Sequence, residues 1–350
     1  MDKKQIIPVA EDLLSYLKKY DRCVDLPVQY EDLTRFSAGT ALLDQDDNDT
    51  LWQTVYFAET EREELFDGLR KIYALLRMDG NFSALPHLEV ARIDYCLFGN
   101  TRPFRIRIIN RLNDNYDHFY VKQTDASRIY GLELEELLSP NSVMYLLDGQ
   151  TLIEEHIAGI PGDDFFEQQL DVDVLNQTRI AKEFIKFNER CFVRLLGDMR
   201  AYNYVVDITP DIEGNQYRLR AIDFDQQSYE GRKNFYLPQY FKDNNPIIFI
   251  GMKLLEPSTV EQYQLEERSM IAARIKASTS RIYRLMQVMS TDRISKPAFI
   301  RQLARELGEH HNSKRFIGQD TMGKVLRTHL QLLLEKEFTQ STDILIEGRG

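Results

Sequence analysis

The segment Leu196-Gly-Asp-Met-Arg-Ala-Tyr-Asn203 places a carboxylate (Asp198), a cation two positions on (Arg200) and an amide five positions on (Asn203) within one stretch. About twenty residues later, Ile222-Asp-Phe-Asp225 reads as a strand end with Asp223 and Asp225 on one face, an arrangement that favours a bound cation. Phosphoryl transfer needs such a set, because it involves little covalent work and much charge to hold in place. One carboxylate orients the attacking hydroxyl and accepts its proton. An amide and a second carboxylate hold Mg²⁺ on the phosphates of ATP, and cations offset charge on the transferred group. Gly, Asp and Asn also shape ordinary turns, and it is Asp223 downstream that tips the reading toward chemistry. Arg200 reads equally as a phosphate contact or as half of a structural ion pair.

These residues need elements to position them. Helical spacing runs from about Ile6 to Tyr20, and an acidic turn at Asp44–Asp49 precedes a strand at Leu51–Phe57 and a helix at Glu61–Met78. The acidic turn is not a calcium loop: Asp49 stands where such a loop needs Gly, and Val55 where it needs Glu. Glu89–Phe98, Phe104–Asn110 and His118–Lys122 form a meander with turns at Gly99–Pro103 and Arg111–Asp117, and Lys122 ends its third strand. A helix at Ser127–Leu138 stops at Ser139-Pro140. Strands at Val143–Leu147 and Leu152–Ile157, a long helix at Val174–Arg190, and strands at Tyr204–Asp207 and Tyr217–Phe224 follow. From Phe235 the pattern is almost wholly helical, with helices expected near 258–289, 296–308 and 319–338.

In this order of elements and in the two motifs, the chain resembles the protein-kinase-like superfamily, nearest its aminoglycoside-phosphotransferase and small-molecule-kinase branch. That branch carries H-G-D-x-x-x-x-N and I-D-F/W-x; this chain has Leu196-Gly197-Asp198 with Asn203, and Ile222-Asp223-Phe224-Asp225. The resemblance implies an α+β, two-lobed fold, with a small antiparallel sheet lobe at 88–157 and a mainly helical lobe at 158–338. An extra N-terminal α/β unit at 1–87 precedes them. It implies ATP and Mg²⁺ as cofactors, Asp198 as catalytic base, and Asn203 and Asp223 as magnesium ligands, with Asp225 as a second carboxylate for metal. Lys122 would be the cation on the α/β-phosphates, paired with Glu133 or Glu136 of the following helix. Ile153-Glu-Glu-His-Ile157 would be the hinge, its Glu155, His156 and Ile157 backbone holding adenine.

At 350 residues, 43% apolar and 28% charged, the chain is long enough for two domains at about 150 residues each and too apolar to be disordered. Its formal charge of −11 is uneven: −8 over 1–90, −9 over 91–230 and +6 over 231–350. An acidic body argues against binding nucleic acid, and the basic last third fits an anionic acceptor or an acidic partner. Three scattered cysteines (Cys23, Cys96, Cys191) indicate neither a disulfide framework nor a zinc site and fit the cytoplasm. The longest apolar run, Ile247–Met252, is far too short to span a membrane. Ile346-Glu-Gly-Arg-Gly350 spells a protease site used in expression vectors, so 339–350 is set aside as a tail. His310-His311 reads as a solvated helix end. There is no GxSxG, HExxH or GxxxxGK[ST] motif.

Two other readings compete. Leu196 in place of the family histidine, and a turn at Gly99–Pro103 with a single glycine, suit a pseudokinase that binds nucleotide as a regulatory or scaffold protein. The helices of 231–338 could instead serve an interaction adaptor that takes no nucleotide.

Overall fold

The structure, a computed structural model, describes residues 4–44, 47–98, 101–170, 174–212 and 214–335. Gly99 of the expected turn, Asp46 of the acidic stretch and the tail 339–350 lie outside the described residues. The chain forms two compact units: residues up to 126 with 143–156, and residues 127–142 with those from 157 on.

The first unit holds helices α1 (Glu11–Lys19), α2 (Tyr30–Leu33) and α3 (Glu59–Arg77). Its strands are β1 (Ala38–Leu43), β2 (Asp49–Tyr56), β3 (Leu88–Cys96), β4 (Phe104–Asn110), β5 (Asn115–Gln123), β6 (Tyr145–Asp148) and β7 (Thr151–Glu155). They make one antiparallel sheet in the order β1-β2-β3-β4-β5-β7-β6. Period-two alternation puts Phe104, Ile106 and Ile108 of β4, with Phe119 and Val121 of β5, on one buried face. A register shift between Val90 and Arg92 re-phases β3, so that Leu88, Val90 and Ile93 join the same face. Leu65, Leu69, Ile72 and Leu76 of α3, at helical spacing, cover that face in a single core. Each such side chain contributes about 1.5–3 kcal/mol by leaving water. Residues 1–87, expected as a separate accessory unit, therefore share the core of the meander: they add two strands to its edge and the helix that covers it.

The second unit contains α4 (Ala126–Leu138), which starts at the last residue of the first unit, and then α5 (Gly162–Gln168) and α6 (Val174–Arg194). Strands β8 (Ile160–Pro161), β9 (Tyr204–Asp211) and β10 (Gly214–Ala221) form a small antiparallel sheet. Helices α7 (Asn245–Leu254), α8 (Pro257–Ala277), α9 (Thr279–Thr291), α10 (Pro297–His310) and α11 (Met322–Leu334) complete it. Helix α6 is central, burying Ile180, Phe184, Phe187 and Cys191 against neighbours that include α7, α8, α11 and β10. The chain is thus α+β, with one unit built on a large antiparallel sheet and one mainly helical. Among the described residues no helix is long and apolar enough to cross a membrane.

His310 is the exposed helix end the sequence suggested, but His311 after it is half-buried and joined to a buried histidine. His329 is fully buried on α11, and its Nε2–H donates to the Phe192 carbonyl at 3.0 Å, which leaves Nδ1 to accept from His311 Nε2 at 2.8 Å. Burial, then the neighbouring His310, pushes His311 down to about 4; burial, then His311, holds His329 well below its ordinary value. Both folded values lie below the unfolded one of about 6.5, so the unfolded chain binds more protons on acidification. The stability contributed by the neutral pair is complete above about pH 6.5 and is lost as pH falls toward 4. Thermal melts should show the midpoint falling by several degrees between pH 7.5 and pH 5, with a smaller fall in His329→Gln.

Candidate active site

Asp198 lies in the connection between α6 and β9, with φ +59°, a left-handed conformation that Asp adopts more readily than most residues. Its main chain is fixed on both sides. The N–H donates to the Phe235 carbonyl at 3.1 Å, and its carbonyl accepts from Arg200 N at 2.8 Å and from Asn203 Nδ2 at 2.7 Å. Asn203 closes the loop onto the end of β10 by accepting from Ile222 N at 3.0 Å. Leu196, where the resembled family has His, is fully buried and bridges to Gln227, whose side-chain amide donates to the Arg194 carbonyl at 2.6 Å. An apolar side chain and a buried glutamine thus brace the loop.

The Asp198 carboxylate is raised above the ordinary carboxylate range, first by burial; Arg200 opposes this, and Asp223 and Asp243 add to it. Arg200 donates to Asp198 Oδ1 at 3.1 Å and to Asp243 Oδ2 at 3.0 Å, so here it is the ion-pair partner that orients Asp198. Asp243 was not foreseen in the sequence; it lies forty-three positions from Arg200.

Asp223 and Asp225 follow β10 rather than ending it, since the strand stops at Ala221. The tight turn beyond, with Asp225 N donating to Asp223 Oδ1 at 3.0 Å, still brings both carboxylates together while Phe224 is fully buried. What they share is Arg128 from the first turn of α4, whose Nη1 donates to Asp223 Oδ1 at 2.9 Å and to Asp225 Oδ1 at 2.8 Å. Gly131, one turn on, explains the close approach: a Cβ there would lie 2.8 Å from Phe224 Cβ. The Ser127 hydroxyl adds a hydrogen bond to the Gln227 carbonyl at 2.8 Å. Arg128 escaped sequence reasoning because nothing local ties it to carboxylates 95 and 97 positions away.

The carboxylates of Asp223 and Asp225 and the Asn203 side-chain oxygen are hard donors that suit Mg²⁺ in kind. A divalent ion there must share the two carboxylates with the Arg128 guanidinium or displace it.

In the sheet unit, Lys122 Nζ donates to Glu154 Oε2 at 2.7 Å across β5 and β7, a diagonal contact two residues from its direct partner Leu152, with both side chains buried. Within its own unit, Glu154 is a carboxylate that holds Lys122. Glu133 and Glu136 belong to the helical unit and accept from Arg281, at 2.9 Å and 2.8 Å. Glu155 N donates to the Met144 carbonyl at 2.9 Å, and its carboxylate pairs with Arg77 of α3. Tyr120 Oη and His156 Nδ1 are hydrogen-bonded at 3.2 Å. Ile157 is buried and opens the second unit's longer segment.

No protein family matches the chain, and no curated protein matches it. Among solved structures it is similar to an ethanolamine kinase of Plasmodium vivax, at 11% identity and a TM-score of 0.30, over 73% of this chain and 90% of that one.

Proposed function

We propose that this chain is an ATP- and Mg²⁺-dependent phosphotransferase that moves the γ-phosphoryl group to a hydroxyl-type acceptor on a small molecule or protein. The observation that carries this reading is the Asp198 loop: a half-buried carboxylate of raised pKa, oriented by Arg200, with the Asn203 amide locking its main chain and Asp223 close by. Asp198 then takes the acceptor hydroxyl's proton, and its raised pKa makes it a better base than an ordinary carboxylate. Arg200 keeps it in position. Asn203, Asp223 and Asp225 would hold Mg²⁺, which supplies charge neutralisation on the phosphates when bound. Lys122, kept in place by Glu154, serves the α/β-phosphates. The main chain of Glu155 to Ile157 is the adenine contact in this reading. The acceptor is anionic in this account, matching the basic charge of residues 231–350.

One observation favours a second reading, nucleotide binding without turnover. Arg128 already places a positive charge on the two carboxylates assigned to metal. The two readings separate in a melting experiment. A nucleotide at about a hundred times its Kd stabilises the protein by ~2.7 kcal/mol. Under phosphotransfer, ATP with Mg²⁺ raises the midpoint, and chelating the metal or changing Asp223→Asn removes most of the rise. An equal rise with ATP in EDTA, without turnover, supports the pseudokinase reading. No rise under either condition ends both.

A further inference from the structure

The face of the large sheet opposite α3 carries a row of basic side chains. Register pairs Arg92 of β3 with Arg107 of β4, and Arg107 with His118 of β5. Extending the β5–β7 register by one residue brings in His156, whose ring stands 5.4 Å from that of His118 and nearly perpendicular to it. Arg92 and Arg107 are cations directly opposite one another, a destabilising pairing that calls for counter-charge. The face supplies little. Asp94, fully buried, is shared between Arg92 at 2.9 Å and Arg105 at 2.9 Å. Arg107 instead lies 4.0 Å over the Tyr116 ring, and its Nε is buried without a hydrogen-bond partner among the described residues.

We propose that this row is a binding site for a phosphorylated ligand, held by the guanidiniums of Arg107 and Arg92 with His118 and His156 beside them. Guanidinium groups present paired donors that match phosphate oxygens, and the Tyr116 ring holds the plane of Arg107 steady for that contact. Strands stand about 4.8 Å apart, so the row from β3 to β7 spans roughly 14 Å, room for more than one anionic group. Lys122 lies four residues further along β5, about 13 Å away. The row shares only His156 with the residues assigned to phosphotransfer, and there through its main chain, so the loss expected in Arg107→Gln tests this site apart from that reading. The imidazoles respond to its occupancy. Burial, followed by His156, Arg105 and Arg107, pushes His118 down to about 4, with Asp117 opposing; His156 is lowered chiefly by burial. An anion on the row offsets those cations and draws the His118 pKa upward.

The probe is inorganic pyrophosphate, titrated calorimetrically into the full chain at constant ionic strength. Saturable binding is expected, weakened about tenfold or more by Arg107→Gln, the worth of one charge-assisted contact, and retained in Asp223→Asn. Absence of saturable binding, or equal affinity in Arg107→Gln, overturns the proposal. So does a loss confined to Lys122→Met, which would put the anion at the other end of β5. Unaltered protein gives a readout that needs no variant: the His118 ring resonances should shift with the same midpoint and the His118 pKa should rise. Resonances that stay put at saturation contradict the site. ATP binding, read through Asp223→Asn, reports separately on the phosphotransfer reading.

Discussion

Changing Asp198→Asn should lower the turnover of ATP by about 10²–10⁴-fold while leaving ATP binding close to that of the unaltered protein. The size is that of a general base withdrawn from proton transfer. The substitution isolates that role because little else changes. Asn keeps an oxygen to accept from Arg200, tolerates the left-handed φ of +59° and leaves the main-chain carbonyl that Arg200 N and Asn203 grip. Arg200→Gln is expected to act more mildly, through orientation: it should lower kcat with little change in the KM for ATP, and shift the acidic limb of the pH–rate profile upward. The limb moves up because Arg200 is the group that opposes the raised pKa of Asp198. Steady-state kinetics across pH, with binding measured separately, checks both.

The largest effect on stability is expected at a residue far from the chemistry. Gly323 is the second residue of α11, and a Cβ there would lie 2.1 Å from Met289 O and 2.5 Å from Ser290 N, both main-chain atoms at the end of α9. The helices are tied at this point by Thr321 Oγ1 donating to the Ser290 carbonyl at 2.9 Å, while within α9 Ser290 Oγ donates to Met286 O at 2.6 Å. Neither backbone can step aside without breaking those bonds. Gly323→Ala should therefore cost ~3 kcal/mol or more, at the upper end of overpacking. Gly251 in α7 is the control, because its nearest neighbour, Ala181 Cβ, is at 4.0 Å, ordinary contact. Gly251→Ala should gain up to about 1 kcal/mol from helix propensity alone. Denaturant melts of the two variants test the contrast; similar midpoints would mean that α9 and α11 are less closely joined than described.

The Asp198 loop was legible in the sequence because its parts are local: a carboxylate, a cation and an amide within six positions, followed after two strands by a paired carboxylate. Most strands and helices were legible for the same reason, since period two and period 3.6 are properties of a short window. What was not legible depends on register or distance. Glu154 on Lys122 follows from how β5 pairs with β7, and Arg128 on Asp223 and Asp225 from α4 docking through Gly131. Strand β1, Ala-Gly-Thr-Ala-Leu-Leu, has too many small residues to show alternation and exists because β2 offers an edge. The pattern at 258–289 reads as one helix, yet the chain breaks at Ser278 without Gly or Pro to announce it. Glu133 and Glu136 sit correctly for a helix facing a cation; the cation within their own unit is Arg281, brought in by α9.

The central claim is that Asp198 works on a γ-phosphoryl group. Its most direct test follows γ-labelled ATP with Mg²⁺ and a pool of hydroxyl-bearing acceptors, comparing the full chain with Asp198→Asn. The account predicts saturable, time-dependent loss of label from ATP that falls to background in the variant. Loss at the same rate in both proteins, or none in either, would contradict it.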